Sequence, residues 1–323
     1  MSQKHRGVPE HVLRAGAAAA APPGLLAALR SAEATAPLPD PVRRQLWRAR
    51  WGAVAQLVLV LEVNGAGTAV AAPVTTDPPG ADEHSVVLDS GLTVLGCPVT
   101  VWGGLAAEIP FFVFDAPLGE VAPAVTTAAE HVPADGQVML PDGVSVGAPA
   151  EPLFSPVAGV RAGLADVLEE LRSAAWAPLA VPDGRPLREL LKGHPAVPAL
   201  MKELAESLGL KTPEVIGLMN GIRAVPPEQV PIIAQIAGLA ERDVQSAVAP
   251  LPDALVRELG RPRWRKAIRD RVPRGGPEAP VRLAVAYGSL ALAARQTGPA
   301  SADPWPQRIG HYLATHQPDG DST

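Results

Sequence analysis

Hydrophobic and polar positions change rhythm twice along the chain. Between residues 46 and 121 the apolar positions fall in short runs rich in β-branched and aromatic side chains: LWRARW, AQLVLVLEV, TAVAAPVT, HSVVLD, PVTVWGG and FFVFDAPLGEV. Turn-formers separate them at Asn64-Gly65, Pro78-Pro79-Gly80, Ser90-Gly91 and Gly103-Gly104. Short strands so punctuated predict a small, SH3-like β-barrel, with Asn64-Gly65 closing a hairpin. Residues 122–160 are rich in Pro, Gly and Ala and read as loop or linker. From AGVRAGLADVLEELRSAAW onward the spacing becomes helical, with Leu164, Val167, Leu168 and Leu171 on one stripe. Residues 1–45 read as an irregular lead-in with one helical piece near GLLAALRSAEA. The expected class is α+β: a lead-in (1–45), a barrel (46–121), a linker and helix (122–184), a helical head (185–240), and a helical extension with a basic segment (241–323).

The head carries the sharpest pattern. In MKELAESLGLKTPEVIGLMNG, residues 201–221, two short helices cross closely enough to need a small side chain, and Ala205 sits there. The turn needs a residue that tolerates positive φ, which Gly209 supplies. Leu204, Leu208, Leu210, Val215 and Leu218 occupy the sealing positions. Thr212-Pro213-Glu214 predicts a helix start: a Thr N-cap, Pro at the first helical position and an acid by the positive helix end. LRELLKGH supplies a helix before, and PPEQVPIIAQIAGL one after, with Val230, Ile233, Ala234 and Ala237 inward.

This stretch of about 55 residues resembles the Cro-repressor/XRE type of helix-turn-helix, down to the Asn220-Gly221-Ile222-Arg223 turn and the closing AQIAGL. The resemblance implies that the second helix enters the major groove of double-stranded DNA by its N-terminal end. The positions it would expose are Lys211, Thr212, Pro213, Glu214 and Gly217. This is a sparse reading head. Pro213 and Gly217 bring no polar group, and Glu214 repels phosphate while being able to accept from a cytosine amino group. Lys211, Thr212, Asn220 and Arg223 are the expected phosphate contacts.

Charge supports the same half of the chain. The net charge is −5, but residues 1–184 hold 10 basic and 19 acidic side chains, whereas residues 185–323 hold 18 and 14. Eight of those cations lie within residues 257–274, RELGRPRWRKAIRDRVPR, against two acids. Arg261, Arg263, Arg265 and Lys266 are its expected phosphate contacts, with Trp264 stacking or packing. The alternative is an amphipathic helix burying Trp264 and Ile268 beneath a solvated basic face. Beyond it, VRLAVAYGSLALAARQT reads as a largely buried helix and DPWPQRIGHYLA as a closing amphipathic one.

The strand-rich region has a weaker likeness. Leu46-Trp47-Arg48 at its opening and Pro73-Val74-Thr75 at its close resemble MazF/PemK-type toxin barrels, which cut RNA. Gln56-Leu57 stands where that family implies Arg-Pro, so the catalytic arginine is missing. Thr75 and Thr76, with Arg48 or Arg50 as substitute cations, are what remains of a site. No other constellation suggests an enzyme. The histidines His5, His11, His84, His131, His194, His311 and His316 lack metal-ligand spacing. Asp82-Glu83-His84 reads as a solvated loop, Trp102 as core, and Ser155 and Cys97 have no evident base. No metal, cofactor or disulfide is called for by a chain with one cysteine.

No run approaches the about 18 apolar residues of a membrane helix, and no targeting segment is evident. Ala and Pro abundance fits GC-rich coding. The expectation is a cytoplasmic, non-enzymatic regulator that binds double-stranded DNA, with the barrel as a sensor or as an assembly surface for a protein partner or a homodimer. The rivals are an antitoxin-like adaptor acting by protein contacts and a MazF-type endoribonuclease. Incubation with a mixed pool of single-stranded RNA tests the last. No cleavage is expected, and turnover abolished by Arg48→Ala or Thr75→Ala would reinstate an active barrel.

Overall fold

In the computed structural model of this chain, residues 22–34, 37–76, 81–131, 140–148, 156–177, 185–295 and 305–316 are described. Pro78, Pro79, Gly80, Ser155, His5 and His11 lie outside them. The chain divides into two compact units, residues 1–173 and 174–323. It is a mixed α+β protein.

The first unit is built on one antiparallel sheet of eight strands: β1 (Gln45–Trp51), β2 (Val54–Asn64), β3 (Thr68–Thr75), β4 (Val86–Leu88), β5 (Val99–Val101), β6 (Ala107–Pro110), β7 (Phe114–Glu120) and β8 (Val144–Val146). Their order is β7-β1-β2-β3-β5-β4-β8, with β6 pairing β3 beside β5. The β2–β3 hairpin turns where Asn64-Gly65 predicts, and Gly67 takes φ 85° to close it. Val58, Leu59, Val60 and Leu61 are all buried, which alternation alone does not give. One face of β2 meets the apolar core of the sheet. The other is covered by helix α3 (Pro156–Arg172), which packs on β1, β2 and β6. Helix α1 (Pro23–Ala34) packs on β7, and α2 (Pro123–Glu130) on β4.

The sheet departs from the sequence expectation in two ways. Its hydrogen-bonded path runs openly from β7 to β8 among the described residues, so backbone pairing there does not close a barrel. Residues 122–160, expected as linker, contribute α2, β8 and the start of α3 to the unit. Pro123 begins α2 and Val125, Ala128 and Ala129 bury its inner face. Val144-Ser145-Val146 pairs with β4. The unit boundary therefore falls at residue 173, after α3.

The second unit is helical. Its elements are α4 (Leu187–Leu190), α5 (Val197–Leu208), α6 (Thr212–Met219), α7 (Val230–Ala237), α8 (Glu241–Ala247), α9 (Asp253–Leu259), α10 (Arg265–Arg269), α11 (Glu278–Arg295) and α12 (Trp305–Thr315). Helices α4 to α8 close on one core in which Leu187, Leu204, Val215, Leu218, Ile233 and Val244 are all 0–1% exposed. Helices α9 to α12 bury Leu255, Leu259, Ile268, Val285, Ile309 and Leu313. At Gly288 on α11 an added Cβ would run into the Tyr312 ring of α12, so only glycine allows that close approach. Among the described residues no helix is long and apolar enough to cross a membrane.

Candidate nucleic-acid interface

The expected site begins where α5 ends. Gly209 adopts φ 63°, and the backbone N–H groups of Gly209 and Leu210 both return to the Ala205 carbonyl, which turns the chain sharply into α6. Ala205 is half-buried beside the head core. Leu204 on α5 and Val215 and Leu218 on α6 form the seam between the two helices.

The helix start differs from the expectation. Thr212 is already the first helical residue, and Lys211 holds the cap position in extended conformation. The capping group is Glu214. Its carboxylate reaches back to accept the Lys211 backbone N–H at 2.8 Å and takes Arg223 Nη1 at 2.7 Å. The Lys211 bond and then the Arg223 guanidinium hold the Glu214 carboxyl below the usual range, against the opposing effect of its burial. Glu214 and Arg223 are thus each other's partners, each about one-third exposed. Asn220 is similarly engaged, accepting from Arg188 Nη1 at 3.3 Å. Gly217 is half-buried, with Arg223 Cβ 3.8 Å from where its own Cβ would stand. Of the seven expected head residues, Lys211, Thr212 and Pro213 remain exposed. Beside them stands Ile216, 46% exposed, and beyond the helix Ile222, 74% exposed. Neither was flagged by the sequence pattern, although Ile216 falls on the outward face one turn after Thr212.

The basic segment is divided: Arg265 is buried, Arg263, Arg269 and Arg271 are half-buried, and Arg257, Arg261, Lys266 and Arg274 are exposed. Arg265 is 2% exposed and pairs with Glu278 at 3.2 Å, so it is not a phosphate contact. Glu278 also receives Arg282 Nη2 at 2.5 Å, and Arg282 is fully buried. Burial lowers the Arg282 pKa, with Glu278 opposing the shift. Glu258, 6% exposed, gathers Arg261 at 3.4 Å, Arg263 Nε at 2.9 Å and Trp264 Nε1 at 2.7 Å. Trp264 therefore packs. Arg271 donates to the carbonyls of Ala267 and Leu313. Lys266 is exposed, 3.7 Å from Asp270 one turn on.

The residues weighed for RNA chemistry are also engaged. Arg48 forms a two-point pair with Asp115 at 2.7 and 3.0 Å across β1 and β7. Gln56 donates to the carbonyls of Leu57 and Val74, and Thr75 Oγ1 accepts from Trp102 Nε1 at 3.1 Å. Trp102 is buried, as expected of core. Asp82 corrects the solvated-loop reading. It is 2% exposed, accepts the His84 backbone N–H and pairs with Arg161 of α3. Among the described residues no cluster of His, Cys, Asp and Glu could hold a metal ion.

No protein-family model matches the chain, and no curated protein sequence matches it. A solved structure, an endoribonuclease in complex with its cognate antitoxin from a mycobacterial species, aligns at 22% identity and a TM-score of 0.24, covering 28% of this chain and 89% of that one.

Two measurements probe this geometry. Glu214→Gln should cost about 1 kcal/mol at neutral pH, the scale of a helix cap. Because the folded-state pKa is depressed, this stability is present above the ordinary carboxylate range and is lost as pH falls through the folded pKa. Urea unfolding of wild type and variant should therefore converge in acid; a gap that stays constant would show that the charge is not what caps α6. Arg265→Met should lower unfolding stability by about 3 kcal/mol, while Lys266→Ala shifts it by less than about 0.5 kcal/mol. Equal effects would contradict the inward placement of Arg265.

Proposed function

We propose that the second unit carries a helix-turn-helix that binds double-stranded DNA mainly through phosphates, making the protein a DNA-binding regulator with the sheet unit as its sensing or assembly part. The observation that carries this reading is the exposed N-terminal end of α6, presented after a left-handed turn with Lys211 and Thr212 at its tip. The Glu214–Arg223 pair strengthens it. A free carboxylate beside the groove would repel phosphate, and a guanidinium 2.7 Å away removes most of that repulsion. Base reading falls to Thr212 and to the methyl groups of Ile216, which suit thymine methyls. With so few base contacts, sequence preference is weak and includes a share from DNA shape.

A second reading is favoured by Ile216 and Ile222. Two exposed isoleucines near the same helix suit a protein surface, the simplest being a second copy of the chain.

A salt-titrated anisotropy assay with fluorescent duplexes of unrelated sequence separates the two. Lys211→Ala should weaken all duplexes alike and reduce the log–log salt slope by about 0.9. Absence of duplex binding at low salt, or indifference to Lys211→Ala, overturns the DNA reading. Conversion of a sedimenting dimer to monomer by Ile222→Asp, without loss of helix, would then establish the protein-contact reading.

A further inference from the structure

The second unit holds a groove that the proposed DNA contact does not use. It has a volume of about 630 Å³ and lies between α11, α12 and the segment leading into α7. That volume is within the range of small-molecule sites. Its walls are Trp176, Tyr287, Tyr312 and Pro226, and its floor is made of small residues of α11, Gly288 among them. The missing Cβ at Gly288 lets the Tyr312 ring lie against α11, and His316 stacks on that ring at 4.3 Å, fixing it.

Among the described residues, the charge lining this groove has one sign. Glu228 is the only formally charged one lining it among the described residues, and it is exposed. It makes no hydrogen bond or ion pair among the described residues, and it lies close enough to raise the Tyr287 hydroxyl pKa, an effect secondary to that group's burial. A buried cation, Arg282, lies over the Trp176 ring at 5.8 Å and is already paired with Glu278. What is left facing the groove is an unpaired carboxylate beside aromatic rings. The electrostatic face of an aromatic ring and a carboxylate both favour a cation, while the apolar walls favour one with organic bulk.

We infer that this groove binds a small aromatic or alkyl organic cation, with Glu228 as counter-charge and Tyr287 and Tyr312 as the rings it rests on. The inference stands apart from DNA binding: the groove residues are distinct from Lys211 and Thr212. An anion is excluded from the same place by Glu228, and a neutral apolar molecule gains only the wall contacts.

The test is calorimetric titration of the full chain with benzyltrimethylammonium, benzyl alcohol and benzoate at physiological salt. The cation should bind saturably and about tenfold more tightly than the alcohol, the scale of one cation–aromatic contact plus a nearby opposite charge. Benzoate should not bind. Glu228→Gln, at an exposed position that tolerates change, should remove most of the cation's advantage and leave the alcohol unaffected. Tyr287→Ala should weaken both. Equal binding of alcohol and cation, saturable binding of benzoate, an unchanged cation affinity in Glu228→Gln, or no saturable binding of the cation at millimolar concentration would each overturn the inference. None of these outcomes bears on the DNA assay, so either conclusion can fail alone.

Discussion

A guanidinium taken out of water must find a carboxylate, because the desolvation penalty of an unpaired ion exceeds what any single apolar contact returns. Among the described residues the helical unit contains two such groups, Arg265 and Arg282, at 2% and 0% side-chain exposure, and both close on Glu278. Arg282 also donates to the Leu259 carbonyl at the end of α9. One carboxylate in the first turn of α11 thus ties that helix to α10, and its partner Arg282 ties it to α9. The acid sits where the positive end of the helix dipole favours it. Glu258 repeats the arrangement beside it, collecting Arg261, Arg263 and Trp264. Leu255, Leu259, Ile268 and Val285 of the same helices are buried, so paired ions and apolar side chains share this interior.

That constraint redistributes charge. Eight cations in eighteen residues look, in sequence, like an electrostatic surface. In the fold, Arg265 is buried on Glu278, while Arg261, Arg263 and Arg271 donate to internal acceptors and keep part of their surface in solvent. A counterion-releasing surface needs solvent-facing cations, and burial on an internal carboxylate, as at Arg265, removes one from that count. The extension keeps Arg257, Arg261, Lys266 and Arg274 at its surface and the head keeps Lys211, while Arg223 serves to neutralise Glu214.

Local patterns were legible where one physical rule acted over a few residues. Asn64-Gly65 marked a hairpin, Gly209 marked a left-handed turn, and Leu204, Val215 and Leu218 marked the seam between two helices. Each depends on backbone geometry or on helical spacing, which neighbours in sequence fix. Strand β8 was not legible because three residues carry no usable period and become a strand only by pairing with β4. Strand β6, with Glu108 and Pro110, lacks a strand's usual composition and is held by its pairing with β3. The cap of α6 was read one residue late, since Thr212 has the right chemistry but Glu214, three residues past Lys211, supplies the bond.

The candidate site was less legible than the fold, and the reason is the range of the forces involved. Whether an arginine faces phosphate or core is decided by where a carboxylate arrives from a distant element. Arg265 meets Glu278 across the turn into α11, and Asp82 meets Arg161 of α3. Composition fixes how many charges exist, while pairing fixes how many are available, and only the second quantity enters binding. The same holds for the groove. Trp176 precedes the head, Glu228 follows α6, and Tyr287 and Tyr312 belong to the last two helices. None of them stands out in its own stretch, because an aromatic at helical spacing usually means core. They acquire a shared chemistry only when Gly288 lets α12 close on α11 and leaves one unpaired carboxylate beside their rings.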